Sequence, residues 1–154
     1  MAVMPVQKPG RSVQEVETPI DFMQAVEKRF GKMDFDLAAN PSNAKTFRYF
    51  HEGHDSLKQD WSKLTGSLWL NPPYGDIEPW AKKCAEHGNP SRRIFLLTPA
   101  SIGSNWFQEH IWGHALVLAL NPRLTFVGHN QSYPKDLILS CFTGQYGFEP
   151  WRWK

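Results

Sequence analysis

The stretch SLWLNPPYGDIEPWAKKCAEHG, residues 67–88, decides how the chain folds. Ser67 to Leu70 read as a buried strand. Pro72 and Pro73 end it, because neither carries the N–H that a sheet ladder needs. After them the period changes. Ile77, Trp80, Ala81, Cys84 and Ala85 recur at the i, i+3, i+4, i+7, i+8 spacing of one helix face, and Gly88 supplies the stop. RIFLLTPA, residues 93–100, then follows as the nearly continuous apolar run of a parallel strand buried on both faces.

Outward from this centre the punctuation stays clear. In ETPIDFMQAVEKRFG, residues 17–31, Thr18 is the expected N-cap, Pro19 the first helical position, and Asp21 a first-turn acid. Ile20, Met23, Val26 and Phe30 form the expected apolar stripe, and Gly31 ends it. MDFDLAAN (33–40) predicts a short strand from Met33 to Leu37 running into a small-residue turn; FRYF (47–50) is a second strand candidate. Downstream, SNWFQEHIWG (104–113) predicts a short helix capped by Ser104, and ALVLAL (115–120), LTFVG (124–128) and DLILSCF (136–142) predict three more strands. Strands alternating with helices imply an α/β fold with a mostly parallel sheet, and the close-set last strands imply an antiparallel C-terminal finish. Only 35 positions separate Asp36 from Asn71. A parallel crossover takes about a dozen residues or more, so the sheet is an abbreviated one here.

Composition sets the outer bounds. The chain has 154 residues, 41% hydrophobic and 14% aromatic, enough to build a core. Residues 17–154 are expected to form one domain and residues 1–16 a flexible arm. The formal charge of +2 gives no overall basic field, so a nucleic-acid partner has to be held by a local patch. No apolar signal core or membrane-length window is present, which predicts a cytoplasmic protein with no membrane partner. Cys84 and Cys141 show no motif spacing and read as buried free thiols.

In open parallel sheets ligands bind outside the carboxyl ends of the strands. Asp36, Asn71 and Thr98-Pro99-Ala100 all fall at such ends, so they predict a site. The tetrapeptide NPPY, Asn71 to Tyr74, supplies its chemistry. Asn71 offers a side-chain carbonyl acceptor, and Pro72 a backbone carbonyl on a fixed φ. Two such acceptors suit an NH₂ group with two hydrogens to give. Tyr74 offers a ring face for a planar group, worth roughly 1–3 kcal/mol per stacked base. The set contains no nucleophile and no acid–base pair; it fits group transfer to nitrogen by positioning and electrostatics. A plain strand-ending turn is the alternative. At average composition, though, this tetrapeptide arises by chance on the order of once in a thousand such chains.

With these fragments in order (ETP, FDLAANPSNAK, DSL, LWLNPPYGDIEPWAKKC, LLTPA, WFQEHI and NPRLTF, residues 17 to 126), the chain resembles the phage and prophage Dam-like DNA N6-adenine methyltransferases. The resemblance implies an abbreviated class I, Rossmann-like methyltransferase fold. It implies S-adenosylmethionine as donor, adenine in DNA as acceptor, and a bacterial cytoplasm as setting. Asn71, Pro72, Pro73 and Tyr74 would be the catalytic motif, closing on an adenine swung out of the stack. Thr18, Pro19, Asp36, Leu37, Ala38 and Asp55, with Asn71, would hold the cofactor, and Glu52 rivals Asp55 for its adenosine part. The turn after Asp36 carries alanines where methyltransferases at large carry glycines. The motif itself fits other NH₂ acceptors too: cytosine N4, an RNA base or a protein glutamine. A non-catalytic DNA-binding or cofactor-sensing module of the same fold is the remaining reading.

The other features weigh less. HEGHD (51–55) lacks the spacing of a zinc site, and no metal is expected. Trp61 and Trp69 read as core. Arg123, Lys135 and Arg152 are candidate phosphate contacts, and Lys8 and Arg11 weaker ones on the arm. The loop GHNQSYPKD (128–136) is the one sizeable polar insertion suited to base contacts. So little reading surface predicts a short recognition site, relaxed specificity, or help from a second copy of the chain as a homodimer.

Overall fold

The computed structural model describes residues 17–39, 44–45, 48–50 and 55–154. The expected arm (1–16), Lys8, Arg11, Glu52 and both histidines of HEGHD lie outside the described residues.

The order of elements follows the sequence punctuation. They are α1 (Ile20–Phe30), β1 (Phe35–Asp36), β2 (Gly66–Leu70), α2 (Glu78–His87), β3 (Arg92–Pro99), β4 (Leu116–Asn121), β5 (Leu137–Phe142) and β6 (Gly147–Arg152). Short helical turns occupy Ser56–Lys58, Trp61–Lys63 and Phe107–Ile111. One six-stranded sheet runs in the order β1-β2-β3-β5-β4-β6. β1, β2 and β3 pair in parallel. β5 runs antiparallel to both β3 and β4, and β6 is again parallel to β4. Five strands therefore point one way, with β5 reversed among them. The mostly parallel, abbreviated α/β sheet with antiparallel pairing near the C-terminus is as the sequence implies.

Alternation fills two layers because the sheet is covered on both faces. Leu68, Leu70, Ile94 and Leu96 pack with Trp80, Ala81 and Cys84 of α2. Trp69, Phe95 and Leu97 face the other way, against Phe22, Met23 and Val26 of α1. Trp61 is fully buried, donates its indole N–H to the Ser56 carbonyl at 3.0 Å, and lies under Lys83. Both cysteines are buried free thiols.

Four expectations change. Thr18 does not cap α1: the cap position is Pro19, which offers no side-chain bond, and the first-turn N–H of Phe22 bonds the Asp21 carboxylate at 2.8 Å. Ile20 is 69% exposed, and Phe22 takes the core position. LTFVG is not a strand. Leu124 and Phe126 alternate into the core, but both sides of the preceding strand β4 are already taken by β5 and β6, so the segment cannot pair back on it. Phe47 lies outside the described residues, and the described part of FRYF, residues 48–50, gives a bridge, Tyr49 beside Asp36, with Phe50 N–H bonding the Asp36 carbonyl at 2.9 Å. The strand missed in the sequence is β6. Its Pro150 is tolerated because β6 pairs on one side alone.

Gly88, the residue after α2, is held to glycine by close packing. Its φ of −71° is ordinary, but an added Cβ would overlap the Phe142 Cβ and stand 3.0 Å from the Cys84 and Phe142 carbonyl oxygens. Gly88→Ala is expected to destabilise the chain by about 1–3 kcal/mol. That lowers Tm by roughly 2–4 °C per kcal/mol. An unchanged calorimetric Tm would show that the contact between α2 and β5 is soft.

Candidate active site

The strand directions bring the ends of β1, β2, β3, β4 and β6 to one edge of the sheet. Asp36, Leu70, Pro99, Asn121 and Arg152 mark it, and Leu137 opens β5 there. β2 ends opposite Leu96, while β3 continues through Leu97, Thr98 and Pro99 with β5 as its partner. That stagger leaves a step in the edge, and NPPY occupies it.

Asn71 is gripped at both ends of its amide. Nδ2 donates to Thr18 Oγ1 at 3.2 Å, and Oδ1 accepts from the Tyr74 hydroxyl at 2.7 Å. The two prolines turn the chain so that Tyr74 reaches back over Asn71. Thr18, 2% exposed, is thus used by Asn71 instead of by its own helix. Burial pushes the Tyr74 hydroxyl well above the usual tyrosine range, and the neighbouring Tyr133 adds to it. The Tyr74 ring packs against both core layers and meets Tyr133 edge-on at 6.0 Å and 72°.

Asp36 lies next to this motif at the end of β1 and is 3% exposed. One carboxylate oxygen accepts the Ala38 N–H and the other the Lys45 N–H, each at 3.1 Å. Burial lifts its pKa to about 7; the two N–H bonds and the Lys45 charge offset only part of that. Leu37 extends the ladder to Trp69 through its N–H at 2.8 Å. Lys45 Nζ pairs with Glu17 at 3.2 Å, which ties the Glu17-Thr18-Pro19 segment to the same corner. A nearby positive charge would favour the ionised form of this buried carboxylate.

Asp55 heads the turn Ser56–Lys58 in a left-handed conformation (φ 45°), with its carboxylate half-exposed and 3.4 Å from Lys58 Nζ. Lys83 of α2 holds this turn by donating to the Ser56, Leu57 and Gln59 carbonyls. Arg123 pairs with Asp136 at 2.8 Å and so closes the base of the 123–136 loop, while staying half-exposed. Lys135 lines a groove of about 250 Å³ together with Tyr74, Pro99, Ser101 and Trp106. Arg152 is exposed at the end of β6. Glu78, Glu109 and His110 bring their ligand atoms within 4.8 Å of one another beside this groove. Both glutamates are exposed, the imidazole mostly covered, and nothing in the site chemistry requires an ion there.

The sequence did not disclose the Thr18–Asn71 bond or the contact of Tyr133 with Tyr74. Tyr133 could have been noticed as the one aromatic in an otherwise polar insertion.

A family model described as DNA N-6-adenine-methyltransferase (Dam) matches residues 8–141. The DNA N-6-adenine-methyltransferase of Escherichia phage T1 is 29% identical over 130 residues, covering 84% of this chain and 54% of that protein. The chain thus spans about half the length of the curated relative it matches. No helix among the described residues is long and apolar enough to cross a membrane.

The raised Asp36 pKa has a measurable consequence. The native chain keeps this proton up to about pH 7, whereas the unfolded chain releases it near 3.8. The unfolded state therefore binds fewer protons between these limits, and the Asp36 contribution to stability falls as pH rises through them, then levels off. Urea unfolding of wild type and Asp36→Asn should diverge across that window, with wild type losing up to roughly 4 kcal/mol relative to the variant. Parallel pH profiles would mean that Asp36 is ionised when buried.

Proposed function

The chain belongs to the DNA N-6-adenine-methyltransferase (Dam) family, and from that premise we propose that it transfers a methyl group from S-adenosylmethionine to the N6 amino group of adenine in DNA. The observation that carries the reading is the Asn71 amide, fixed between Thr18 and Tyr74 at the carboxyl end of β2.

Asn71 Oδ1 has two lone pairs, and the Tyr74 hydroxyl takes one. Asn71 Oδ1 and the Pro72 carbonyl are the acceptors for the hydrogens of the incoming NH₂. Giving both hydrogens to acceptors leaves more electron density on the nitrogen, which is what attack on an electrophilic carbon needs. Pro73 keeps the turn rigid between the two partners. The groove beside Tyr74, with Trp106 and Pro99 in its walls, receives the swung-out base. Leaving the duplex costs a few kcal/mol, offset in part by stacking on Tyr74.

S-adenosylmethionine supplies, when bound, a methyl group on a positively charged sulfur. Asp36, Leu37 and Ala38 at the end of β1 would hold it, together with Thr18, Pro19 and Asp55. The fit rests on Asp36: a buried carboxylate near its pKa ionises in answer to a nearby cation. Lys135, Arg123 and Arg152 meet the DNA phosphates, and the setting is the bacterial cytoplasm. Reading of bases falls to the 123–136 loop or to a second copy of the chain.

The test is incubation with labelled S-adenosylmethionine and unmethylated duplex DNA, followed by digestion to nucleosides. Label is expected in N6-methyladenosine. Label in cytosine or in protein alone would refute adenine as acceptor, and a thermal shift with the cofactor but no transfer would point to a sensor. Asn71→Ala should lower transfer by roughly 100-fold or more while cofactor binding survives. Thr18→Val, which leaves the amide unanchored on one side, should cost about 10-fold, since small misplacements weigh heavily on rate; full activity in that variant would show that Thr18 does not orient Asn71.

A further inference from the structure

We infer that Tyr133 is a positioning residue for the transfer, through which the 123–136 loop sets the angle of the Tyr74 ring; this rests on the function proposed above. Tyr74 is held at two points on its long axis, the backbone and the hydroxyl bound to Asn71. Two points on one axis leave rotation about that axis free, and that rotation tilts the stacking face. Core side chains pack against the ring, and from the loop side the Tyr133 edge, 6.0 Å away and inclined at 72°, opposes that rotation. A flat base needs its partner within about 10–20° of the productive angle.

Tyr133 is itself held firmly. Its N–H donates to the Leu124 carbonyl at 2.7 Å, and its ring stands perpendicular to Phe126 at 5.4 Å. The Arg123–Asp136 pair pins the two ends of the loop together. The loop also reaches the site by a second route. Val127 N–H bonds the Glu17 carbonyl at 3.0 Å, and the next residue, Thr18, anchors Asn71. One loop thus bears on both members of the Asn71–Tyr74 pair. Its outer side exposes His129, Asn130, Gln131 and Ser132 around a hollow of about 510 Å³ that Tyr133 also lines. Asn and Gln are the side chains that pair with adenine edges. Duplex contacts made there are felt at Tyr74.

The test uses the full chain with ¹³C-labelled tyrosine rings. The chain has four tyrosines, each assignable by a Tyr→Phe variant. Tyr133→Leu is expected to shift the Tyr74 ring signal and speed its flipping. It should lower kcat on duplex DNA about 10-fold, with KM for S-adenosylmethionine unchanged. Tyr133→Phe keeps the ring edge and should restore both the signal and the rate. The inference falls if the Tyr74 signal stays put in Tyr133→Leu, or if Tyr133→Phe is as slow as Tyr133→Leu. Should wild type transfer no methyl to DNA, the proposed function fails instead, and the ring signals alone decide whether Tyr133 positions Tyr74.

Discussion

Strand β2 stops at Leu70 because the prolines after Asn71 have no N–H to give either neighbour, while β3, free of that limit, runs on to Pro99 with β5 beside it. This difference in length makes the step at the sheet edge. If β2 continued as far as β3, its next residues would fill the step with ladder hydrogen bonds, and Asn71 would point its side chain into one of the two core layers. The prolines therefore remove a few backbone hydrogen bonds, each worth about 1 kcal/mol net. They leave in exchange a rigid shelf on which a polar side chain stays out of the core.

What stands on that shelf is held by a line of polar contacts that crosses four segments of the chain. Asp36 bonds the backbone of Lys45, Lys45 pairs with Glu17, Thr18 takes the Asn71 amide, and Asn71 takes the Tyr74 hydroxyl. These groups sit where the two apolar layers end, so each loses water on folding and has to find a partner. The pairing is uneven. The Asn71 amide is met on both sides, whereas the two amide donors to Asp36 offset only part of the burial that lifts its pKa to about 7. The corner thus meets the Asn71 amide and the Glu17 carboxylate more fully than it meets the buried carboxylate of Asp36.

The parts legible in the sequence were those fixed by local rules. The strand stop, the α2 stripe and the Ser104 cap follow from periodicity and from what proline and serine can do; Ser104 Oγ does accept the Phe107 N–H, at 3.3 Å. Where two uses competed for one residue, local reading chose the nearer. Thr18 fits an N-cap by position, but Asn71, 53 residues away, claims its hydroxyl. LTFVG has the alternation of a strand and buries alternate residues as one would. Its failure lies in the strand before it, β4, having both sides paired, which depends on where β6 goes. β6 in turn was hidden because Pro150 speaks against a strand unless the strand is known to lie at the edge. The same holds for Tyr133: its residue type was visible, but its facing Tyr74 is set by the path of a loop.

Electrostatics gives the edge a definite character. The chain carries only +2 overall, and of the basic groups at the carboxyl edge, Arg123 already answers Asp136 at 2.8 Å. A guanidinium so paired brings less net attraction to a phosphate than an unopposed one, and what it brings is weakened by salt. Under the proposed function, a polyanion meeting this edge is therefore held less by charge than by what the edge does with a base once it has left the stack. Stacking on Tyr74 and hydrogen bonds to Asn71 and Pro72 are short-ranged and nearly indifferent to salt. They reward only a base that is fully seated, so the same contacts that hold the substrate also place its nitrogen for transfer. Binding energy of that kind is realised late, close to the reacting geometry, which is where it lowers a barrier instead of deepening a ground state.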